Sequence, residues 1–177
     1  MTQRWFIALI PEKPQHEAIV RFSAQLRERI PGIVPPHTEP HVTIIPPFVC
    51  DKEQAEAALK EMVVAPAFQV QTIGFGHFSN HHCWYISLEQ HRYFATLEQL
   101  GRSALGPMAP KTYGKRIYHI TVAQGVINDE SNVMLGNYLQ QSSPPCTQVR
   151  FKHLYLVRKL DNSPTLSADS YELKTAL

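Results

Sequence analysis

The chain has 177 residues, of which 44% are apolar, and this length supports one compact core but is short for two independent domains. Only 18% of the residues are charged and the formal net charge is +2, which excludes proteins that coat nucleic acid through a strongly basic surface. The apolar run at 5–10 is too short for a signal peptide and no later run is long enough to cross a bilayer, so we expect one domain, residues 1–177, with no membrane contact.

Apolar runs and apolar residues at helical spacing, bounded by proline, glycine and polar loops, predict the secondary structure. In chain order we expect a strand at 4–10, a helix over about 19–30, a strand at 41–45, a helix at 51–62, strands at 68–75 and 83–88, a helix at 94–104, a strand at 118–123, a helix from 128 or 129 to about 139, and strands at 149–157 and about 170–173. This order departs from the strict alternation of a parallel doubly wound sheet. It predicts an α+β protein with mainly antiparallel sheets and helices packed outside them.

Local signals set several of these boundaries. Pro46-Pro47 is expected to close the strand at 41–45. Asp51, with Gln54 three residues later, resembles a capping box and predicts the start of the second helix. Gly106-Pro107 predicts the end of the third helix.

The motif His-x-Thr-x occurs twice on predicted strands, as His41-Val42-Thr43-Ile44 and as His119-Ile120-Thr121-Val122. Side chains alternate along a strand, so the histidine and threonine of each motif share one face, roughly 7 Å apart, while the apolar residues anchor the other face. Nine histidines and ten threonines would give about 0.1 chance copies with both apolar positions, so two copies argue against coincidence. Two such strands side by side would surround a tetrahedral phosphate.

Two histidines can supply both proton transfers that cleavage of a phosphodiester needs. A base takes the proton of the attacking water, and an acid protonates the leaving oxygen on the far side of phosphorus. An imidazole with a pKa of about 6.5 can serve in either role at neutral pH. We therefore interpret His41 and His119 as the catalytic pair, and the hydroxyls of Thr43 and Thr121 as donors to the non-bridging phosphate oxygens.

Residues around the two motifs are candidates for substrate contact. Arg116 lies three residues before His119 in a basic loop, and we expect it to approach the phosphodiester, the alternative being a loop that faces water. Phe48 and Tyr118 flank the motifs and could stack on a base. Packing in the core or at its rim is the competing interpretation for both aromatic residues.

The sequence predicts no metal and no cofactor. The histidine-rich segment with His77, His81 and His82 matches no common ligand spacing. The cysteines are widely spaced and lack the C-x-x-C pairing of zinc sites and redox dithiols. They are Cys50, Cys83 and Cys146. Their odd number and spacing indicate a reduced, cytoplasmic setting.

These features resemble the two-histidine (2H) phosphoesterase superfamily, which includes the bacterial 2′-5′ RNA ligases and the RNA 2′,3′-cyclic phosphodiesterases. Besides both motifs, the first strand at 5–11 and the closing strands at 151–156 and 171–173 look like those of the family. The chain departs from many members at 45–48, where they have Phe-Leu-Gly, and at Gln124, where they often have arginine. Because these positions lie just outside the motifs, we expect this chain to differ from those members in the base and sugar that it recognises.

The resemblance implies a bilobal fold in which two antiparallel sheets face a central cleft and each lobe contributes one motif strand. It implies catalysis without metal, with His41 as proton donor and His119 as acceptor. The expected partner is RNA with a 2′,3′-cyclic phosphate end or a small cyclic nucleotide, with 2′-5′ ligation as the reverse reaction, and the expected state is a monomer. Two other functions stay open: a noncatalytic module that binds nucleotides or RNA ends, and a metal-dependent phosphatase built on the histidine-rich segment.

Overall fold

Strands and helices follow one another in the predicted order, which confirms the α+β class. The computed structural model describes residues 2–34, 36, 38–63, 65–79, 83–111, 116–124, 129–159 and 164–172. The elements are β1 (Gln3–Pro11), α1 (Lys13–Arg29), β2 (Val42–Cys50), α2 (Lys52–Met62), β3 (Phe68–Phe78), β4 (Cys83–Leu88), α3 (Arg92–Leu105), a 3₁₀ turn (Gly106–Met108), β5 (His119–Gln124), α4 (Asp129–Gln140), β6 (Gln148–Lys159) and β7 (Pro164–Glu172).

The strands form one continuous antiparallel path in the order β2-β1-β6-β3-β4-β5, with β7 paired to β6. The prediction of two separate sheets is not confirmed. The reason is the length of β3, whose 11 residues pair at the start with β6, as Phe68↔Phe151, and at the end with β4, as Phe75↔Ile86. Both motif strands, β2 and β5, therefore stand at the ends of one sheet.

Strand β2 runs through the two prolines at which we expected it to end. The predicted stop at Pro46-Pro47 is wrong because β2, among the described residues, pairs with β1 alone, so one of its sides needs no amide donors. The register also shifts between the pairs Trp5↔Phe48 and Ile7↔Ile45, which leaves both prolines outside paired positions. The strand consequently carries Phe48 back into the core.

Helix α2 begins as its sequence predicted. The Asp51 carboxylate accepts a hydrogen bond from the Gln54 backbone N–H at 2.9 Å, and the Gln54 side chain accepts one from the Asp51 N–H at 3.4 Å. This capping box satisfies two backbone donors that the first turn of a helix leaves without partners. The helix then buries its apolar face, including Leu59, in the core.

The alternation of side chains in β1 gives the sheet two different faces. Trp5, Ile7 and Leu9 point into the main core, to which all four helices contribute apolar side chains. Burial of Ile7 or Leu9 stabilises the fold by roughly 1.5–3 kcal/mol each. Phe6 and Ala8 point the other way, into a smaller cluster with Val157 of β6. We call this second face the cleft face.

None of the helices in the described ranges is long and apolar enough to cross a membrane.

Replacement of Asp51 by alanine removes the capping box, and we expect it to lower the free energy of unfolding by about 1 kcal/mol. Urea denaturation followed by circular dichroism measures the change. Glu61→Ala is the matched control, because Glu61 is exposed on the same helix and should change stability by less than about 0.5 kcal/mol. Equal stability of the wild type and the Asp51→Ala variant would show that the helix end is held by packing alone.

Candidate active site

The two ends of the sheet come together although they are far apart in strand order. Cα atoms of β2 and β5 approach within 8 Å. The Arg116 guanidinium, just before β5, donates from Nη2 to the backbone carbonyl of Thr43 in β2 at 2.7 Å. The Gln124 N–H at the end of β5 donates to the Val34 carbonyl, in the loop before β2, at 3.0 Å. The sheet therefore curls until its two His-x-Thr motifs face the same space.

His41 lies immediately before β2 and is held through one ring nitrogen. Its Nδ1 lies 2.8 Å from the backbone carbonyl of Glu39 and 3.3 Å from the Thr38 hydroxyl. A carbonyl oxygen only accepts, so Nδ1 carries the proton and Nε2 is left for proton exchange. The ring also packs against Phe6 of the cleft face, with centroids 5.3 Å apart.

His119 is held in the same way. Its Nδ1 donates to the Ile117 carbonyl at 2.9 Å, again two residues earlier in the chain. Its ring packs against both Phe78 and Tyr85, whose centroids each lie 4.9 Å away and which stack on each other at 4.3 Å. Tyr85 in turn lies flat over Gly76, where an added Cβ would come within 2.4 Å of the tyrosine ring. Both histidines thus have the same tautomer, with the proton on Nδ1. Each ring packs on an aromatic side chain.

The environment lowers the pKa of both histidines. Burial is the main cause for His41; the hydrogen bond to Glu39 opposes the shift, and the charge of His119 adds to it. Burial also dominates for His119, where the hydrogen bond to Ile117 opposes the shift and the charge of Arg116 adds to it. The effect of His119 on His41 is electrostatic, so protonation of the His119 ring disfavours protonation of the His41 ring.

The two motif threonines are half-buried on the same faces as their histidines. Thr43 is the register partner of Ala8 on the cleft face. The Thr121 hydroxyl lies 3.5 Å from the Cys83 thiol, and burial raises the pKa of that thiol. Cys83 therefore stays protonated at neutral pH and contacts Thr121 as a neutral group.

Both terminal nitrogens of the Arg116 guanidinium bind protein groups. Besides the Thr43 carbonyl, its guanidinium binds the Glu98 carboxylate, with Nη1 to Oε1 at 3.1 Å. The same carboxylate accepts from Arg102 at 2.9 Å and from the Tyr118 hydroxyl at 2.9 Å. Burial works to raise the pKa of Glu98, but the Arg102 hydrogen bond, the Arg116 charge and the Tyr118 hydrogen bond together hold it below its usual value. This network links α3 to both motif strands.

The positions of Tyr118 and Phe48 favour packing over base stacking. Tyr118 is 5% exposed and stacks on Phe94 with centroids 4.5 Å apart, and its hydroxyl donates a hydrogen bond to Glu98. Burial and the Glu98 carboxylate raise its pKa, so the hydroxyl stays protonated as a donor. Phe48 is 3% exposed and belongs to the main core.

Sequence reasoning missed Glu98, Phe6 and Tyr85, which hold the motif residues in place. No local pattern marked them, because each reaches the site from a strand or helix distant in the sequence. Of the histidine-rich segment, His77 lies on β3 and stacks on Trp84 with centroids 4.4 Å apart, while His81 and His82 lie outside the described residues. Within the described ranges, no group of three histidine, cysteine or acidic side chains could hold a metal ion.

A comparison with protein families finds a match that covers most of the chain. The model of the 2′-5′ RNA ligase superfamily matches residues 11–163. The chain belongs to this superfamily. The resemblance to the 2H phosphoesterases is therefore confirmed, and the superfamily supports an enzyme that hydrolyses or joins phosphoesters.

Solved structures share the fold of this superfamily member over nearly its whole length. E. coli LigT complexed with 3′-AMP has a TM-score of 0.71 at 14% identity and covers 98% of this chain and 99% of its own. TT0787 of Thermus thermophilus has a TM-score of 0.69 at 20% identity, with 97% and 98% covered. Usb1 of Kluyveromyces marxianus has a TM-score of 0.53 at 11% identity, with 97% and 98% covered. No curated protein has a sequence that matches this one significantly.

Because Arg116 ties β5 to the Thr43 carbonyl, we expect Arg116→Ala to misplace the two motifs relative to each other. A displacement of about 1 Å at a catalytic group can cost about 100-fold in rate, so kcat should fall at least about 10-fold, with a smaller change in KM. Steady-state kinetics on a cyclic nucleotide measures both. Lys111→Ala, which removes an exposed basic residue near the same loop, is the control and should retain wild-type kinetics. A raised KM with unchanged kcat would instead show that Arg116 contacts the substrate directly.

Proposed function

We propose that this protein opens 2′,3′-cyclic phosphates, at RNA ends or on small nucleotides, by acid–base catalysis with His41 and His119. The observation that carries this proposal is the equivalent hold on the two imidazoles, each donating from Nδ1 to a backbone carbonyl two residues earlier. A module that only binds nucleotides needs no second imidazole with its Nε2 kept free. Ligation of a 2′-5′ bond would use the same ring opening, with the 5′-hydroxyl of another strand in place of water as the nucleophile and the ribose 3′ oxygen as the leaving group.

The reaction needs one proton removed and one supplied. His119 accepts the proton of the attacking water, whose oxygen forms a bond to phosphorus. The bond between phosphorus and one ribose oxygen breaks, and His41 protonates that leaving oxygen. The hydroxyls of Thr43 and Thr121 donate to the non-bridging oxygens as negative charge accumulates there. The assignment of His41 as donor and His119 as acceptor follows the family resemblance.

The nucleotide class of the substrate has support from the relatives. LigT of E. coli has been solved with 3′-AMP, ATP, NADP+ and phosphate. A phosphate-bearing nucleotide is the ligand that two threonine hydroxyls and two imidazoles would recognise. We propose that the protein works without a metal ion, as a monomer, in the cytoplasm, where its free cysteines Cys50, Cys83 and Cys146 would stay reduced.

Replacement of either motif histidine tests the proposed mechanism. We expect His41→Ala and His119→Ala each to lower kcat for a 2′,3′-cyclic nucleotide by about 10²-fold or more, because each loses one positioned proton transfer. The product is followed by phosphorus NMR and the fold by circular dichroism. His91→Asn is the control, because asparagine preserves the cap of α3 that His91 provides. Full activity in a folded variant of either motif histidine would exclude the two-histidine mechanism.

The pH dependence follows from the lowered pKa values of the pair. The productive form has one histidine protonated and one neutral, so kcat/KM should be bell-shaped, and both limbs belong to the coupled pair. Since burial places both pKa values below 6.5, the maximum of kcat/KM should lie on the acidic side of that value. Bound phosphate favours the protonated imidazoles, so the maximum of kcat should lie at higher pH. A profile with a single limb between about pH 4 and 9 would contradict the acid–base pair.

A further inference from the structure

We propose that the cleft contains a second subsite, beyond the two histidines, that binds the nucleotide preceding the cyclic phosphate in an RNA strand. This subsite is a cavity of about 380 Å³ between β1, the start of α1 and β6. Its lining includes Ile10, Lys13, Lys152, His153 and Tyr155. The inference rests on the proposed function and names an oligonucleotide as the preferred substrate.

A row of side chains connects the cavity to the motif residues. Ala8 of β1 is the register partner of Thr43 in β2 on one side and of Tyr155 in β6 on the other. Directly opposed residues of an antiparallel pair point to the same face, so these three side chains line up across the cleft face. Phe6, two residues before Ala8, contacts His41 on that face. The motif site and the cavity therefore share one continuous surface.

The spacing suits consecutive nucleotides of one strand. Two strand separations divide β2 from β6, which places Tyr155 roughly 10 Å from the Thr43 strand. A nucleic-acid strand advances about 3.4 Å per nucleotide in a duplex and more when it is extended. In an extended strand, the nucleotide preceding the cyclic phosphate would thus reach the cavity.

Side chains of the cavity have the chemistry that single-stranded RNA requires. Tyr155 is half-buried against the cluster of Phe6, and its ring lies 6.2 Å from that of His153, so an aromatic surface is available for a base. Lys13 and Lys152 supply cations for a backbone phosphate.

One carboxylate also lines the cavity. Glu12 binds Lys152 at 2.8 Å and Arg150 at 3.5 Å, so two cations share it. Lys13 lies 3.7 Å from Glu17 with its side chain 86% exposed, a weak surface pair. The lining carries two lysines, Lys13 and Lys152, and one carboxylate, Glu12, so its net charge is positive. The cavity is therefore suited to one backbone phosphate and one base rather than to a highly charged anion.

Comparison of substrates of two lengths tests the subsite. We expect wild-type kcat/KM to be at least about 10-fold higher for a trinucleotide ending in a 2′,3′-cyclic phosphate than for the cyclic mononucleotide. The double variant Lys13→Gln/Lys152→Gln should lose most of that advantage and keep mononucleotide kinetics within about twofold. Tyr155→Leu should lower kcat/KM for the trinucleotide by about 5-fold or more, because it removes a stacking surface.

The control variant is Lys52→Gln/Lys60→Gln, which makes the same charge change on α2. The subsite would be overturned if this control lost as much kcat/KM for the trinucleotide as the Lys13/Lys152 variant. It would also be overturned if that variant lost as much kcat/KM for the mononucleotide, or if the wild type turned over both substrates equally. Calorimetric binding of a trinucleotide ending in a 3′-phosphate tests the subsite without turnover: weaker binding in the Lys13/Lys152 variant alone supports it, and unchanged binding overturns it. Absence of turnover on both substrates would count against the proposed function. The calorimetric binding measurement would still test the subsite in that case.

Discussion

The candidate active site depends on closure of a curled sheet whose two ends carry the two motifs. Strands β2 and β5 are separated by four other strands along the path, so sheet pairing alone does not bring them together. The Arg116 guanidinium spans the gap, binding the Thr43 carbonyl with one nitrogen and Glu98 with another. A planar guanidinium can hold two acceptors in fixed directions, which lysine cannot do. Together with the bridge between Gln124 and Val34, this side chain and its carboxylate partner set the relative position of the two motif strands.

Because side chains alternate along the strands, one face of the sheet packs in the core and the other face lines the cleft. One face of β1 holds Trp5, Ile7 and Leu9 in the main core, and the other turns Phe6 and Ala8 toward the cleft. The two motif histidines pack on aromatic groups, His41 on Phe6 of that second face and His119 on Tyr85. Burial against these groups favours the neutral imidazole, while the carbonyl bonded to Nδ1 favours the charged one. Burial is the larger effect, so the pKa of both histidines lies below its usual value.

Local rules accounted for much of the fold and failed where long-range contacts intervened. The capping box at Asp51 and the motif strands were predictable because their signals lie within a few residues. The continuation of β2 through Pro46-Pro47 was not predictable, since proline is tolerated on a strand that pairs on one side only, and that position in the sheet is a tertiary property. The joining of two expected sheets through the long β3 is likewise invisible to local patterns.

By itself the sequence determined the residue types of the candidate site: two histidines and two threonines, placed in pairs on strands by a period of two. It could not determine which atom of each imidazole is free, because that depends on the carbonyls of Glu39 and Ile117. Nor could it determine that Arg116 bonds to the backbone of the other motif strand. Only the tertiary structure decided these points, since hydrogen bonds are directional and their partners, such as Glu98 and Thr43, are set by how the chain folds back on itself.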